Sequence, residues 1–170
     1  MNRKTDMASL KRRLVHRRHG FTLVELLTVL VMLAILAAIA LPSLASAMAG
    51  QRLRAAGTDF MSSLLIARSE AIKRNAQVQV APQDGTDWTT GWRVTAVAKA
   101  EQIDRKNPLG HRVAVTLAPA VIVYERNGRL RGGGTIQTQF SDGEGQAGVV
   151  ARCVTIDPAG MPRLDLGVCS

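Results

Sequence analysis

Cysteine and histidine are scarce, at two and three in 170 residues. Two thiols exclude a multi-disulfide scaffold. His16 and His19 fall in a basic head and His111 stands alone, which argues against a structural zinc site. A phosphate-binding glycine loop, paired histidine ligands and an acid–base dyad are missing too. Ser62, Ser63 and Ser69 have no histidine nearby in sequence and read as surface residues of a helix. Gly132-Gly133-Gly134 is followed by no helix, so it reads as a bulge or flexible turn. The chain therefore reads as a non-enzyme without a cofactor. Charge is missing as well, over one long stretch: no charged residue lies between Glu25 and Arg52.

What is present is lopsided. The sequence holds 22 basic against 13 acidic residues, a balance of +9. Seven of the basic ones (Arg3, Lys4, Lys11, Arg12, Arg13, Arg17 and Arg18) lie in residues 1–20, opposed only by Asp6. The other 150 residues carry a balance of only +3, so the charge belongs to a basic head and not to a generally nucleic-acid-coating protein. A hydrophobic content of 46% excludes a disordered chain, and the length suits one domain with an appendage.

Residues 26–50 are mostly Leu, Val, Ile and Ala. About 20 apolar residues in a helix, rising about 1.5 Å each, cross a hydrocarbon core about 30 Å thick. The basic flank precedes this run, and only Arg52 and Arg54 follow soon after it. The positive-inside rule then places the N-terminus in the cytoplasm and residues from about 50 onward outside. A cleaved secretory signal, with Ala45-Ser46-Ala47 as its cutting site, and a plain anchor are the simpler readings. Neither accounts for Glu25. A carboxylate in an apolar span costs roughly 2.5–3.5 kcal/mol and calls for a partner.

The run is entered through Arg17-Arg18-His19-Gly20-Phe21-Thr22-Leu23-Val24-Glu25-Leu26-Leu27. This spelling resembles the processing site of the type IV pilin family. The resemblance implies cleavage between Gly20 and Phe21 by a prepilin peptidase, with N-methylation of Phe21. Cleavage removes the basic head and leaves an amine four residues before Glu25. In a staggered filament Glu25 of one chain can face the Phe21 amine of a neighbour, and such a buried pair is a better register device than a source of stability. The resemblance further implies other pilins or pseudopilins, an inner-membrane assembly platform and the lipid bilayer as partners.

Pro42 is placed to bend the helix. Beyond it Leu53, Ala56, Phe60, Leu64, Ala67 and Ala71 repeat at three- and four-residue steps and predict one buried helical face. Asn75 reads as the stop, and Glu70 and Arg74 as an i,i+4 pair. As one helix, 21–75 reaches roughly 80 Å. Strands are predicted at 77–81, 92–98, 112–118, 121–125, 135–140, 149–157 and 163–169, with loops at 99–110 and 141–148. Asn127-Gly128 reads as a two-residue hairpin turn. The fold class is α+β, a long helix covered by antiparallel sheet. The divisions are a leader at 1–20, a membrane and filament-core helix at 21–50, and a periplasmic head at 51–170.

The head begins with Leu65-Ile66-Ala67-Arg68-Ser69-Glu70-Ala71-Ile72-Lys73-Arg74-Asn75, then a short strand and Gly91-Trp92. This part resembles the GspH/FimT group of minor pilins and pseudopilins. The resemblance implies a structural subunit of a type II secretion pseudopilus or a type IV pilus. FimT-like relatives suggest a second function, DNA binding through a Gly-Arg-x-Arg element in the last hairpin. Here that hairpin spells Gly160-Met161-Pro162-Arg163, whereas Gly128-Arg129-Leu130-Arg131 carries the spelling one hairpin earlier, beside Arg126. These arginines can position phosphates, or simply solvate a hairpin and guard an edge strand. Trp88 and Trp92 read more readily as core than as base-stacking groups.

Cys153 and Cys169 flank Pro158-Ala159-Gly160-Met161-Pro162. Pairing symmetric about Met161 would set Val154 against Val168 and Ile156 against Leu166 on the core side. Cys153 would then face Cys169 on the other side, within disulfide range. Such a bond contributes on the order of 3 kcal/mol in the chain-entropy model and suits an oxidising periplasm. Two free thiols are the alternative.

Overall fold

The computed structural model describes residues 20–170. The basic head called from Arg3, Lys4, Lys11, Arg12, Arg13, His16, Arg17, Arg18 and His19 lies outside the described residues. The described residues divide into two units, the first ending at Ile39 and the second running Ala40–Ser170.

Helix α1 (Leu23–Arg74) starts where the sequence changes from Gly-Phe-Thr to continuous helix formers. Thr22 caps it: its hydroxyl accepts the Glu25 backbone N–H at 3.2 Å. Helical backbone continues through Pro42. In the first unit every described side chain from Phe21 to Ile39 is exposed. The segment is apolar all round and long enough to cross a membrane.

In the second unit α1 is the spine of the head. Leu53, Ala56, Phe60, Leu64, Ala67 and Ala71 are all buried, as their spacing predicts. Asn75 ends the helix in a left-handed conformation (φ 48°), with bonds from Asn75 N–H to Ile72 C=O (3.2 Å) and Ala76 N–H to Ala71 C=O (3.2 Å). Eight strands follow: β1 Val78–Pro82, β2 Trp92–Ala96, β3 Glu101–Arg105, β4 Val113–Leu117, β5 Ile122–Tyr124, β6 Ile136–Asp142, β7 Arg152–Ile156 and β8 Pro162–Leu166. They form two four-stranded antiparallel sheets, ordered β3-β2-β1-β5 and β4-β6-β7-β8, against the helix, the α+β arrangement expected. Phe60 sits where both sheets meet the helix. Its ring makes edge contacts with Trp88 (5.3 Å), Trp92 (5.1 Å) and Phe140 (5.5 Å).

Four expectations are corrected. Residues 101–105 form a strand within the expected loop 99–110. Glu101-Gln102-Ile103-Asp104-Arg105 has no apolar alternation because β3 is an edge strand, which charge protects from further pairing. Ser63 is buried rather than at the surface, donating to Asp104 Oδ2 at 3.3 Å.

The β7–β8 turn centres on Ala159, not Met161. Gly160 supplies the left-handed residue (φ 84°), and the Asp157 side chain accepts the Met161 N–H at 2.9 Å. Cys153 therefore pairs with Asp165, Val154 with Leu164 and Ile156 with Pro162; Leu166 and Val168 stay exposed. Lastly, Asn127-Gly128 is not a two-residue turn. Gly128 N–H closes onto Glu125 C=O (2.7 Å), and Glu125 N–H bonds Arg129 C=O (2.9 Å) with Gly128 as the left-handed residue (φ 76°).

Sheet β4-β6-β7-β8 approaches the helix at Gly57. A β-carbon there would come within 2.7 Å of Leu164 Cδ1, so glycine lets that leucine lie against the helix where a larger residue would make its side chain shift.

Candidate functional site

Gly20 has no neighbour within 4 Å of where a β-carbon would be, and it precedes the helix in irregular backbone. The Gly20–Phe21 bond is thus presented on an exposed, non-helical stretch, and Phe21 is 76% exposed. Glu25 lies in the first turn of α1, where unpaired backbone N–H groups favour an anion. Thr22-x-x-Glu25 has capping-box spacing, a signal in the sequence that the reading of Glu25 as a filament residue alone overlooked. Within the chain, then, Glu25 belongs at a helix start. Its side chain is exposed.

The two cysteines are joined, Cα to Cα 5.2 Å apart, although Cys169 does not lie across the ladder from Cys153. After β8, Gly167 turns (φ 112°), and the tail bonds back to β6. Cys169 N–H reaches Gln139 Oε1 (2.9 Å), and Gln137 Nε2 donates to Ser170 C=O (2.9 Å). The disulfide straps this tail down.

The structure brings the tips of the two late turns together. Gly160 packs directly on the Gly128 carbonyl, which also accepts Arg68 Nε at 3.1 Å. The candidate arginines do not form one positive surface. Arg131 pairs with Glu125 (3.5 Å) and Arg163 with Asp165 (2.8 Å), leaving Arg126 and Arg129 exposed without an acidic partner among the described residues. Trp88 and Trp92 are buried, so neither ring is open to a base. His111 lies in an exposed turn.

Other charged groups serve the head itself. Arg74 bonds Glu70 (2.5 Å) and also Glu101 of β3 (2.8 Å), a three-residue link of which the sequence indicated only the first pair. Hydrogen bonds from Arg74 and then Lys73 hold the Glu70 carboxyl below its ordinary range. Asp84 is likewise lowered, by the backbone N–H groups of Thr86 and Asp87 in a tight turn. Burial pushes the Tyr124 phenol upward, and its hydroxyl has no partner among the described residues. No group of three or more metal-ligating side chains occurs among the described residues.

An exposed apolar helix, opened by a Gly-Phe junction and carrying a helix-spined α+β head, defines a type IV pilin-like subunit. The Prokaryotic N-terminal methylation motif model matches residues 15–41, and the Type II transport protein GspH model matches residues 56–160. The chain belongs to the GspH family and has the structural role of a minor pilin or pseudopilin.

Solved structures agree in fold. Pseudomonas aeruginosa type IV minor pilin FimU is 18% identical, over 69% of this chain and 90% of that one, at a TM-score of 0.56. Vibrio cholerae minor pseudopilin EpsH, of the type 2 secretion system, is 17% identical, over 68% and 97%, at 0.51. No curated protein sequence matches the chain. Family membership brings association with other pilins in a filament, and the methylation motif together with the apolar helix brings membrane anchoring.

Proposed function

We propose that the protein is made with the 1–20 leader and inserted in the bacterial inner membrane, N-terminus in the cytoplasm and head in the periplasm. A prepilin peptidase cuts between Gly20 and Phe21 and methylates Phe21. The mature subunit, 21–50 as anchor and 51–170 as head, passes through an inner-membrane assembly platform into a type II secretion pseudopilus or type IV pilus. Glu25 meets the Phe21 amine of an adjoining subunit and sets the register of assembly. The disulfide suits an oxidising compartment for the head.

One observation carries this reading: the methylation-motif match and the fully exposed apolar helix coincide around a single carboxylate. Each charge is costly in lipid alone and is relieved by the other. Mass spectrometry of membrane-extracted protein should find N-methylated phenylalanine 21 as the first residue; a mature start at Met48 would replace this account with a secreted domain. Glu25→Ala should keep membrane insertion and cleavage while lowering incorporation into filaments at least about tenfold, the effect of stranding one charge in lipid. Normal incorporation would remove the pairing.

A further inference from the structure

A cleft of about 360 Å³ opens between α1 and the chain that links β3 to β4. Arg52, Ala56 and Asp59 form its helix side, and Lys106, Leu109 and Gly110 form the other. Trp92 and Val113, the first residues of β2 and β4, line it from below, one from each sheet, and both are buried. The linking chain is pinned in place. Lys106 N–H donates to Trp92 C=O (2.8 Å), Gln83 Nε2 to Lys106 C=O (2.5 Å) and Leu109 N–H to Thr89 C=O (2.8 Å). It lies this close because residue 91 is a glycine at positive φ (87°). A β-carbon there would fall 2.3 Å from the Lys106 carbonyl oxygen. The cleft is therefore built before anything enters it, which lowers the cost of binding.

Its polar groups are not satisfied equally. Trp88 Nε1 donates to Pro119 C=O at 2.8 Å, but Trp92 Nε1, also buried, has no acceptor among the described residues. A buried N–H is normally met by an acceptor, and one left unmet is costly. At the rim Lys106 leans on Asp59 at 3.7 Å, and the neighbouring Arg112 pairs with Glu144. That leaves Arg52 without an acidic partner among the described residues. Two bases and one acid line the cleft, so its balance is positive. Between rim and floor the walls are apolar, at Ala56, Leu109 and Val113. The group that fits carries a negatively charged acceptor on an apolar stem.

We propose that this cleft receives a glutamate side chain from an adjoining pilin subunit. The carboxylate accepts from Trp92 Nε1 and is neutralised by Arg52, while its methylenes lie against Leu109 and Val113. The Trp92 ring is closed to a flat base, but a carboxylate on a slim stem needs only the indole edge. With one donor at the floor and a base at the rim, the longer glutamate reaches where aspartate falls short. The contact keys this subunit to its neighbour through the head. It rests on the filament reading above.

The test uses the full processed chain in detergent micelles with isotope-labelled tryptophan, so that NMR resolves the indole N–H signals of Trp88 and Trp92. The probe is N-acetylglutamate N-methylamide; its aspartate and glutamine analogues and acetate are the controls. The Trp92 signal should move and its hydrogen exchange slow, while the Trp88 signal stays in place. The neutral glutamine analogue should bind at least about tenfold more weakly, the difference between a charge-assisted and a neutral hydrogen bond. Arg52→Gln should weaken the glutamate probe by a similar factor with the Trp88 signal unmoved, and Arg52→Lys should restore part of it. In cells, benzoylphenylalanine placed at Asn107 should crosslink to a glutamate-containing peptide of another pilin subunit, identified by mass spectrometry. Arg52→Gln should lower the yield of that adduct.

A Trp92 signal unmoved at the highest glutamate concentration overturns the proposal. So does equal binding of the glutamine analogue, which makes the cleft a neutral amide site, or of acetate, which makes it a free-anion site. Crosslinks confined to the chain itself, or to peptides without glutamate, overturn it as well. A chain that never enters filaments refutes the filament reading and with it the pilin partner, whereas the Trp92 titration separately decides whether the cleft takes a carboxylate.

Discussion

Helix α1 uses the same apolar residues in two opposite ways. Through Ile39 they lie on every side and every one is exposed; from Leu53 to Ala71 a single stripe of them (Leu53, Ala56, Phe60, Leu64, Ala67 and Ala71) is buried, while Ala55 and Leu65 off that stripe stay exposed. Charge and periodicity both separate the two segments: the first is uncharged after Glu25, while the second sets Arg54, Asp59, Arg68 and Glu70 off its apolar stripe. A stripe can be covered by sheets on one side while Arg52, Arg54 and Asp59 face water. An all-round apolar surface is satisfied only by an all-round apolar medium, lipid or other helices. The same side chain therefore stabilises the folded chain in one segment and decides its location in the other.

This contrast can be broken most forcefully at Phe60. Phe60→Ala should cost the head about 3–5 kcal/mol, read as a large fall in the thermal unfolding midpoint. Leu33→Ala, an equally drastic truncation in the exposed segment, should leave that midpoint unchanged. A comparable loss from both would erase the distinction between the two segments.

Next in size is the strap. Cys153→Ser should cost about 3 kcal/mol. Reductant should lower the wild-type midpoint to that of the variant and leave the variant unaffected.

Gly160→Ala should cost about 1–3 kcal/mol. It strains a left-handed turn residue and presses a β-carbon onto the Gly128 carbonyl. The loss should appear first as faster hydrogen exchange in β7 and β8.

The smallest effect is at Glu70. Its folded-state carboxyl is held below the ordinary range, so its contribution is present in full above that range. The contribution is lost as pH falls through the depressed value. Glu70→Gln should change stability slightly at neutral pH and flatten the acid limb of the stability profile below about pH 4.

Much of this was legible because it depends on local chemistry. The stripe at Leu53, Ala56 and Phe60, the left-handed stop at Asn75 and the motif around Gly20 and Glu25 are each written within a few consecutive turns of chain. What escaped depended on distant partners. β3 pairs only at an edge and has no buried face to leave an alternating pattern. Ser63 is buried because Asp104, 41 residues away, accepts its hydroxyl. The β7–β8 register was misjudged by giving the turn to Met161, when Gly160 and the Asp157 carboxylate fix it around Ala159. The disulfide was anticipated through the wrong ladder. It forms because the tail folds back after Gly167, which no strand pattern encodes.

Gly57 is usually the kind of residue that weakens a helix, yet here it acts as a detent. Leu164 fills the gap it leaves, whereas about one helical turn away on either side Leu53 and Phe60 present bulkier buried side chains. That notch seats β8 on the helix, with the Arg152–Leu166 pair next along the same face of the ladder.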